Sequence, residues 1–209
     1  NEKVLKRYLK YDIAEIDDQI FIKIKKLKYY IKAKNNLEKV QINVNQKNIY
    51  ELERQRKNKL EFNSNDNTSK WVNGSLIHNK KQYKVRLRVK GDRTLHFYKK
   101  NETSYRVDLR GEERLWGLEE FSIQKPITRN YVHEFIFHKL LEYNGLISLK
   151  YFLVNFYFND ENRGTFAIEE GFSKELIERN KRRNGPIFGL EEDKGENYPK
   201  VIYDLYSES

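Results

Sequence analysis

Residues Gln82 to Lys90 alternate without a break. Tyr83, Val85, Leu87 and Val89 are apolar, and Lys84, Arg86, Arg88 and Lys90 between them are cationic. Successive side chains of a strand point to opposite faces, so this run reads as a β-strand with one dry face and one basic face. Trp71 to His78 is a second strand-like run, and Asn79-Lys80-Lys81 between the two is a hairpin signature. Gly91-Asp92-Arg93-Thr94 then breaks the pattern.

Further strands follow at Ser104 to Leu109 and Glu119 to Lys125, the latter stopped by Pro126. Asn130 to Tyr143 is the best helix. Val132, Phe135, Ile136, Leu140 and Tyr143 form its apolar stripe, Thr128 or Asn130 can cap its start, and Gly145 follows its end. Lys150 to Phe158 has the apolar and aromatic character of a strand buried on both faces. Asn159 to Arg163 reads as a turn and Gly164 to Glu170 as the partner strand. Ser173 caps a short helix, Lys174 to Lys181, and Pro186-Ile187-Phe188 opens one more strand. Upstream, residues 1–34 read as helical but poorly patterned, Val40 to Val44 as a short strand, and Asn48 to Leu60 as a polar helix. That helix has Ile49, Leu52 and Leu60 on a weak apolar side. Strands with one packed helix make an α+β domain.

Composition closes several routes. The 209 residues suffice for one domain or somewhat more. Aromatic residues make up 14%, against the depletion typical of disordered chains. No window of about 18 residues is free of charge, which excludes a transmembrane helix. There is no Cys, hence no disulfide and no thiolate metal site. The net charge is +10, and residues 1–60 carry 16 Lys and Arg against 8 Asp and Glu. The basic character therefore sits at the N-terminus, at Lys23, Lys25, Lys26, Lys28, Lys32 and Lys34. That segment suits an anionic membrane surface or nucleic acid, or is simply a solvated face. The near-neutral remainder argues against a nucleic-acid binder, although Lys84, Arg86, Arg88 and Lys90 keep that class open. Met is absent even at position 1, so the chain reads as part of a longer one, with any anchor before Asn1 left open. The compartment, cytoplasmic or cell-envelope, is open too.

Several segments carry a likeness. Val85-Arg86-Leu87-Arg88-Val89-Lys90-Gly91-Asp92-Arg93-Thr94-Leu95-His96, Ser104-Tyr105-Arg106-Val107, and Phe121-Ser122-Ile123-Gln124-Lys125-Pro126 with Arg129-Asn130-Tyr131 and Glu134 occur in that order. After them come Asn155-Phe156-Tyr157-Phe158-Asn159, Gly164-Thr165-Phe166-Ala167-Ile168-Glu169-Glu170, Phe172 with Lys174-Glu175-Leu176, and Asn184-Gly185-Pro186-Ile187. Across residues 71–190 this series resembles the CotH kinase family, spore coat protein H and its bacterial relatives. The order of elements is also that of a kinase small lobe. The resemblance implies an atypical protein kinase that binds ATP with magnesium and phosphorylates Ser or Thr of a protein substrate.

On that basis the expected organisation has three parts. A helical, basic lead-in spans 1–68. A kinase-like nucleotide-facing lobe spans 69–172, an antiparallel sheet with one packed helix. A hinge-following helix and the truncated start of a large lobe span 173–209. The expected nucleotide-binding residues are Gly91 and Asp92 at a phosphate-facing turn, Arg106 as the strand cation with Lys125 in reserve, Arg129, Glu134 as the helix carboxylate, and Glu170 at the strand end. Each also has a plainer role, as turn glycine, solvated charge or helix-start acid. His138 reads as a helix-surface partner. Nothing supports Asp193 or Asp204 as a catalytic base. Catalytic carboxylates are expected beyond Ser209, no protein metal site is expected, and the fragment alone is expected to be inactive. The other class kept open is a non-catalytic pseudokinase or structural coat protein.

Overall fold

The computed structural model describes residues 37–62, 69–91, 93–183, 185–191 and 198–203. From Glu38 onward they belong to one compact unit. The basic N-terminal segment, Asp92, Asp193 and Asp204 lie outside the described residues.

The expected strands form, mostly within a residue or two, but the one expected from Gly164 begins at Glu161 and takes up three residues of the expected Asn159–Arg163 turn, and Tyr198–Tyr203 is a further strand that was not expected. In chain order they are β1 (Lys39–Asn43), β2 (Val72–His78), β3 (Lys81–Val89), β4 (Tyr105–Leu109), β5 (Glu120–Gln124), β6 (Tyr151–Phe158), β7 (Glu161–Glu170), β8 (Ile187–Glu191) and β9 (Tyr198–Tyr203). The helices are α1 (Gln46–Phe62), α2 (His133–Tyr143) and α3 (Lys174–Arg179). Two hairpins close on two-residue turns in which both residues are left-handed. These are Asn79 (φ 48°) with Lys80 (φ 65°), and Asn159 (φ 45°) with Asp160 (φ 66°). That geometry matches the twist of the flanking strands, and Asn and Asp tolerate it best.

Seven strands close into a barrel in the order β1-β2-β3-β4-β5-β7-β6. Every pairing is antiparallel except the seam, where β1 runs parallel to β6, with Val40 opposite Phe156. β8 and β9 form a separate two-stranded sheet. The barrel interior is apolar and aromatic: Ile42, Leu76, Leu87, Phe121, Ile123, Phe156 and Phe166 are essentially inaccessible. Each such side chain contributes about 1.5–3 kcal/mol by leaving water.

This closure overturns the expected α+β class with a kinase-like small lobe, in which an antiparallel sheet carries one packed helix. The physical reason is β1. It lies in the lead-in, and it pairs with β2 on one side and β6 on the other. Two edges that would have stayed open are thereby joined, and a closed barrel leaves no edge to protect. α1 then packs at the β2–β3 end. Leu52 is buried, and Gln55 ties the segment entering β2 to β3 by donating to the Lys70 carbonyl (2.7 Å) and accepting from the Val89 amide (3.1 Å).

The helix expected to pack by its apolar stripe does not do so. Val132, Phe135, Ile136, Leu140 and Tyr143 are 41–88% exposed, and the buried residue of α2 is His138. The reading of His138 as a surface residue is thus corrected. Its ring faces Tyr151 of β6, and its Nδ1 accepts the Leu149 amide at 3.2 Å. Neither Thr128 nor Asn130 caps α2. Asn130 and Tyr131 are left-handed (φ 49° and 62°), following a 3-10 turn over Pro126–Arg129, so the helix starts only at His133. No helix among the described residues is long and apolar enough to cross a membrane.

Candidate functional site

The alternation of β3 sends Tyr83, Val85, Leu87 and Val89 into the barrel and leaves Arg86, Arg88 and Lys90 on its outer surface. Cross-strand register extends that surface over three more strands. Arg88 lies opposite Arg106 of β4, Arg106 opposite Ser122 of β5, and Ser122 opposite Glu169 of β7. The 3-10 turn at Pro126–Arg129 packs against β7 and α2 against β6, and Ser122, Gln124 and Glu169 are buried.

Glu169 is the centre. Its carboxylate accepts from Lys90 Nζ at 3.3 Å and from Arg129 Nη2 at 3.2 Å, and it also accepts from the Gln124 amide. Lys90 further donates to Gln124 Oε1 at 3.1 Å. Burial raises the pKa of Glu169, but the adjacent Lys90 and Arg129 charges outweigh it and hold the carboxyl below its ordinary range. Lys90 moves the opposite way from a simple ion pair. Burial dominates and lowers the ammonium pKa, because Glu169 is shared with Arg129 while nearby Arg106 adds repulsion. Around this core stand Glu134 and Tyr151. His138 accepts at Nδ1, so its proton lies on Nε2, which donates to Glu134 at 3.2 Å. The Tyr151 hydroxyl is buried and has no hydrogen-bond partner. Burial first, then the Glu169 and Glu134 charges, push its pKa well above the ordinary value, so it remains a proton donor.

Of the residues picked from the sequence, Arg106, Arg129 and Glu134 fall in this neighbourhood. Arg106 and Glu134 do not pair: Arg106 meets Glu120 at 3.3 Å, and Glu134 meets His138. Lys125 leaves the cluster, donating to the Arg163 carbonyl at 2.8 Å and lying over the Phe166 ring. Glu170 also points elsewhere, holding Arg179 and the Lys150 amide (2.7 Å). Gly91 adjoins Lys90 but its carbonyl accepts from Lys59 at 3.1 Å. Sequence reasoning named Lys90 only among the nucleic-acid candidates, and it missed Gln124, Tyr151 and Glu169. Lys90 continues the outward register of β3, which was the available signal. Glu169 was hidden beside Glu170, since only strand pairing decides which of two neighbouring acids faces outward.

Chemically the face presents lysine and arginine donors that are held in place and planar guanidinium groups suited to phosphate oxygens, above a buried tyrosine hydroxyl with unused hydrogen-bonding capacity. Magnesium has no comparable fit. Glu169 is already engaged by three donors, and no group of three metal-ligating acids or histidines occurs among the described residues. No protein-family model matches the chain, and no curated protein matches it.

Proposed function

We propose that the chain is the phosphate-binding part of an ATP-dependent protein Ser/Thr kinase of CotH type, built on a closed barrel. One observation carries this reading. Lys90, Arg106, Gln124, Arg129 and Glu169 come from the separate segments that carry the likeness, and they meet on one outer face. Lys90 and Arg129, braced through Glu169, would receive triphosphate oxygens, and Arg106 would turn to them from Glu120. Holding the cations in advance removes part of the ordering cost of binding a mobile triphosphate. Transfer to a hydroxyl needs a positioning carboxylate that this cluster does not supply, because its own central acid is neutralised.

The test is ligand-induced stabilisation in magnesium chloride. ATP at about 100 times its dissociation constant should stabilise the protein by about 2.7 kcal/mol, and adenosine should not. Lys90→Met leaves Glu169 with Arg129, so the variant should fold and bind ATP at least about tenfold more weakly, the loss of one charge-assisted contact. Arg106→Gln, on the exposed part of the face, should weaken ATP as well. Equal stabilisation of all three proteins, or none, would overturn the reading.

A further inference from the structure

The far end of β7 carries an arrangement that the phosphate face does not use. Arg163 lies six residues before Glu169, about 20 Å along the strand. Beside it a cavity of about 330 Å³ opens between α1 and the ends of β4, β6 and β7. Gln46, Ile49, Glu53 and Arg56 line it from one face of α1. Its apolar wall is Leu52, Tyr105 and Phe158, all buried, and the two rings stack at 5.4 Å. Most of the charges there are spent. Glu53 takes two bonds from Arg56, at 3.0 and 2.7 Å, and Glu161 holds Arg163 at 2.9 Å. A set of donors is left over. Lys100, exposed on a 3-10 turn over Lys100–Glu102, makes no side-chain hydrogen bond or ion pair among the described residues. Its charge acts on Glu53, which Arg56 already neutralises. Asn101 gives its Oδ1 to Arg163 and keeps its Nδ2, and the buried Nε of Arg163 has no partner.

We propose that this cavity binds a small monocarboxylate with a compact apolar body, the carboxylate at Lys100 and Asn101 and the body against Leu52, Tyr105 and Phe158. Charge selects the head group. Arg56 and Arg163 are matched by Glu53 and Glu161, so the wall keeps one uncompensated positive charge, that of Lys100. One negative charge completes the site, whereas a dianion such as phosphate also meets the two glutamates. The unspent donors of Asn101 and Arg163 ask for an acceptor of the same kind, because a buried donor left unpaired costs stability. Space selects the body. A water molecule takes about 30 Å³ of liquid, so the cavity suits about eleven non-hydrogen atoms. An apolar wall with a few convergent polar groups is the usual plan of a small-molecule pocket. This site does not rest on the nucleotide reading above.

The experiment is a saturation-transfer NMR titration of the full chain, without nucleotide, using 3-phenylpropionate, an acid of about that size. The expected dissociation constant is about 1 mM or lower. The neutral isostere 3-phenylpropanamide should bind at least about fivefold more weakly, for want of the charge. Butyrate, which keeps the carboxylate and loses most of the apolar body, should bind at least about tenfold more weakly. Lys100→Gln should bring the acid down to the level of the amide and leave the amide unchanged, which separates loss of the charge from loss of the cavity. Lys100 is exposed and unpaired, so that variant should melt within about 2 °C of the parent. No binding of the acid, equal affinity for acid and amide, an unchanged acid affinity in Lys100→Gln, or displacement of the acid by inorganic phosphate would each overturn the proposal. Lys90→Met, the variant that tests the nucleotide reading, should leave the acid affinity unchanged, so the two ideas fail separately.

Discussion

Replacing Glu169 by Gln is expected to cost about 3–5 kcal/mol of folding stability, the usual penalty for removing one partner from a buried ion cluster. The carboxylate holds Lys90 at 3.3 Å and Arg129 at 3.2 Å, and only about a tenth of its side chain reaches solvent. Without its charge, two cations face each other across a neutral amide, with Arg106 close by. Urea unfolding should therefore show a lower midpoint, and the melting temperature should fall by on the order of 10 °C. The pH dependence identifies the cause. The native carboxyl titrates below its ordinary value of 4.5. Its stabilisation is complete above the unfolded value and is lost as the pH falls through the native one. The gap between parent and Glu169→Gln should accordingly be constant at neutral pH and close in acid. Lys90→Met combined with Glu169→Gln removes one cation together with the charge and should recover part of the loss. A Glu169→Gln protein as stable as the parent at pH 7 would show that the cluster is solvated and braces nothing.

How much of this was legible beforehand follows the range of the interactions concerned. The alternation from Tyr83 to Lys90 located β3 and its two faces, because period two is a local property of the chain. The turns expected at Asn79-Lys80-Lys81 and Asn159 to Arg163 were placed for the same reason, but each is tighter than expected, because two left-handed residues, Asn79-Lys80 and Asn159-Asp160, suffice to reverse the chain. Closure was not. It depends on Lys39–Asn43 lying parallel to β6, more than a hundred residues away, and nothing local in a five-residue strand names its partner. The packing of α2 departs from its pattern: the 3.6-residue stripe of Val132, Phe135, Ile136 and Leu140 implies an inner face that the fold leaves exposed. The fold instead turns His138 inward, where the Leu149 amide and Glu134 satisfy its ring. The site shows the same division. Arg106 and Arg129 were picked because their segments carry the likeness, and the fold brings them to one face. Glu169 was missed by one residue, since the choice between Glu169 and Glu170 is made by their pairing with Ser122 and Phe121.

Gly91→Ala should be comparably damaging, for reasons that separate the two roles considered for this glycine. Gly91 has φ of 107°, a conformation that side-chain-bearing residues rarely adopt. A Cβ there would lie 2.4 Å from Cγ of His96 and 2.5 Å from its Cβ. The His96 ring cannot retreat easily. It is buried, its Nδ1 is 3.1 Å from Ser104 Oγ, its carbonyl takes the Ser104 amide at 2.7 Å, and the Ser104 carbonyl takes the Lys90 amide at 2.9 Å. Backbone strain of about 1–3 kcal/mol and overpacking of about 1–3 kcal/mol should therefore add to a loss of about 2–6 kcal/mol. His96→Gly in the same chain removes the Cβ and the ring that the new methyl would meet, so it should relieve the overpacking but not the strain, and the double variant should be less impaired than a sum of single losses requires. A glycine kept only to bring backbone amides up to a phosphate would behave differently: Gly91→Ala would then lower ATP binding and leave the melting temperature in place. The close His96 contact and the Lys59 bond to the Gly91 carbonyl point to the first outcome, with Lys90 displaced because its neighbour can no longer seat.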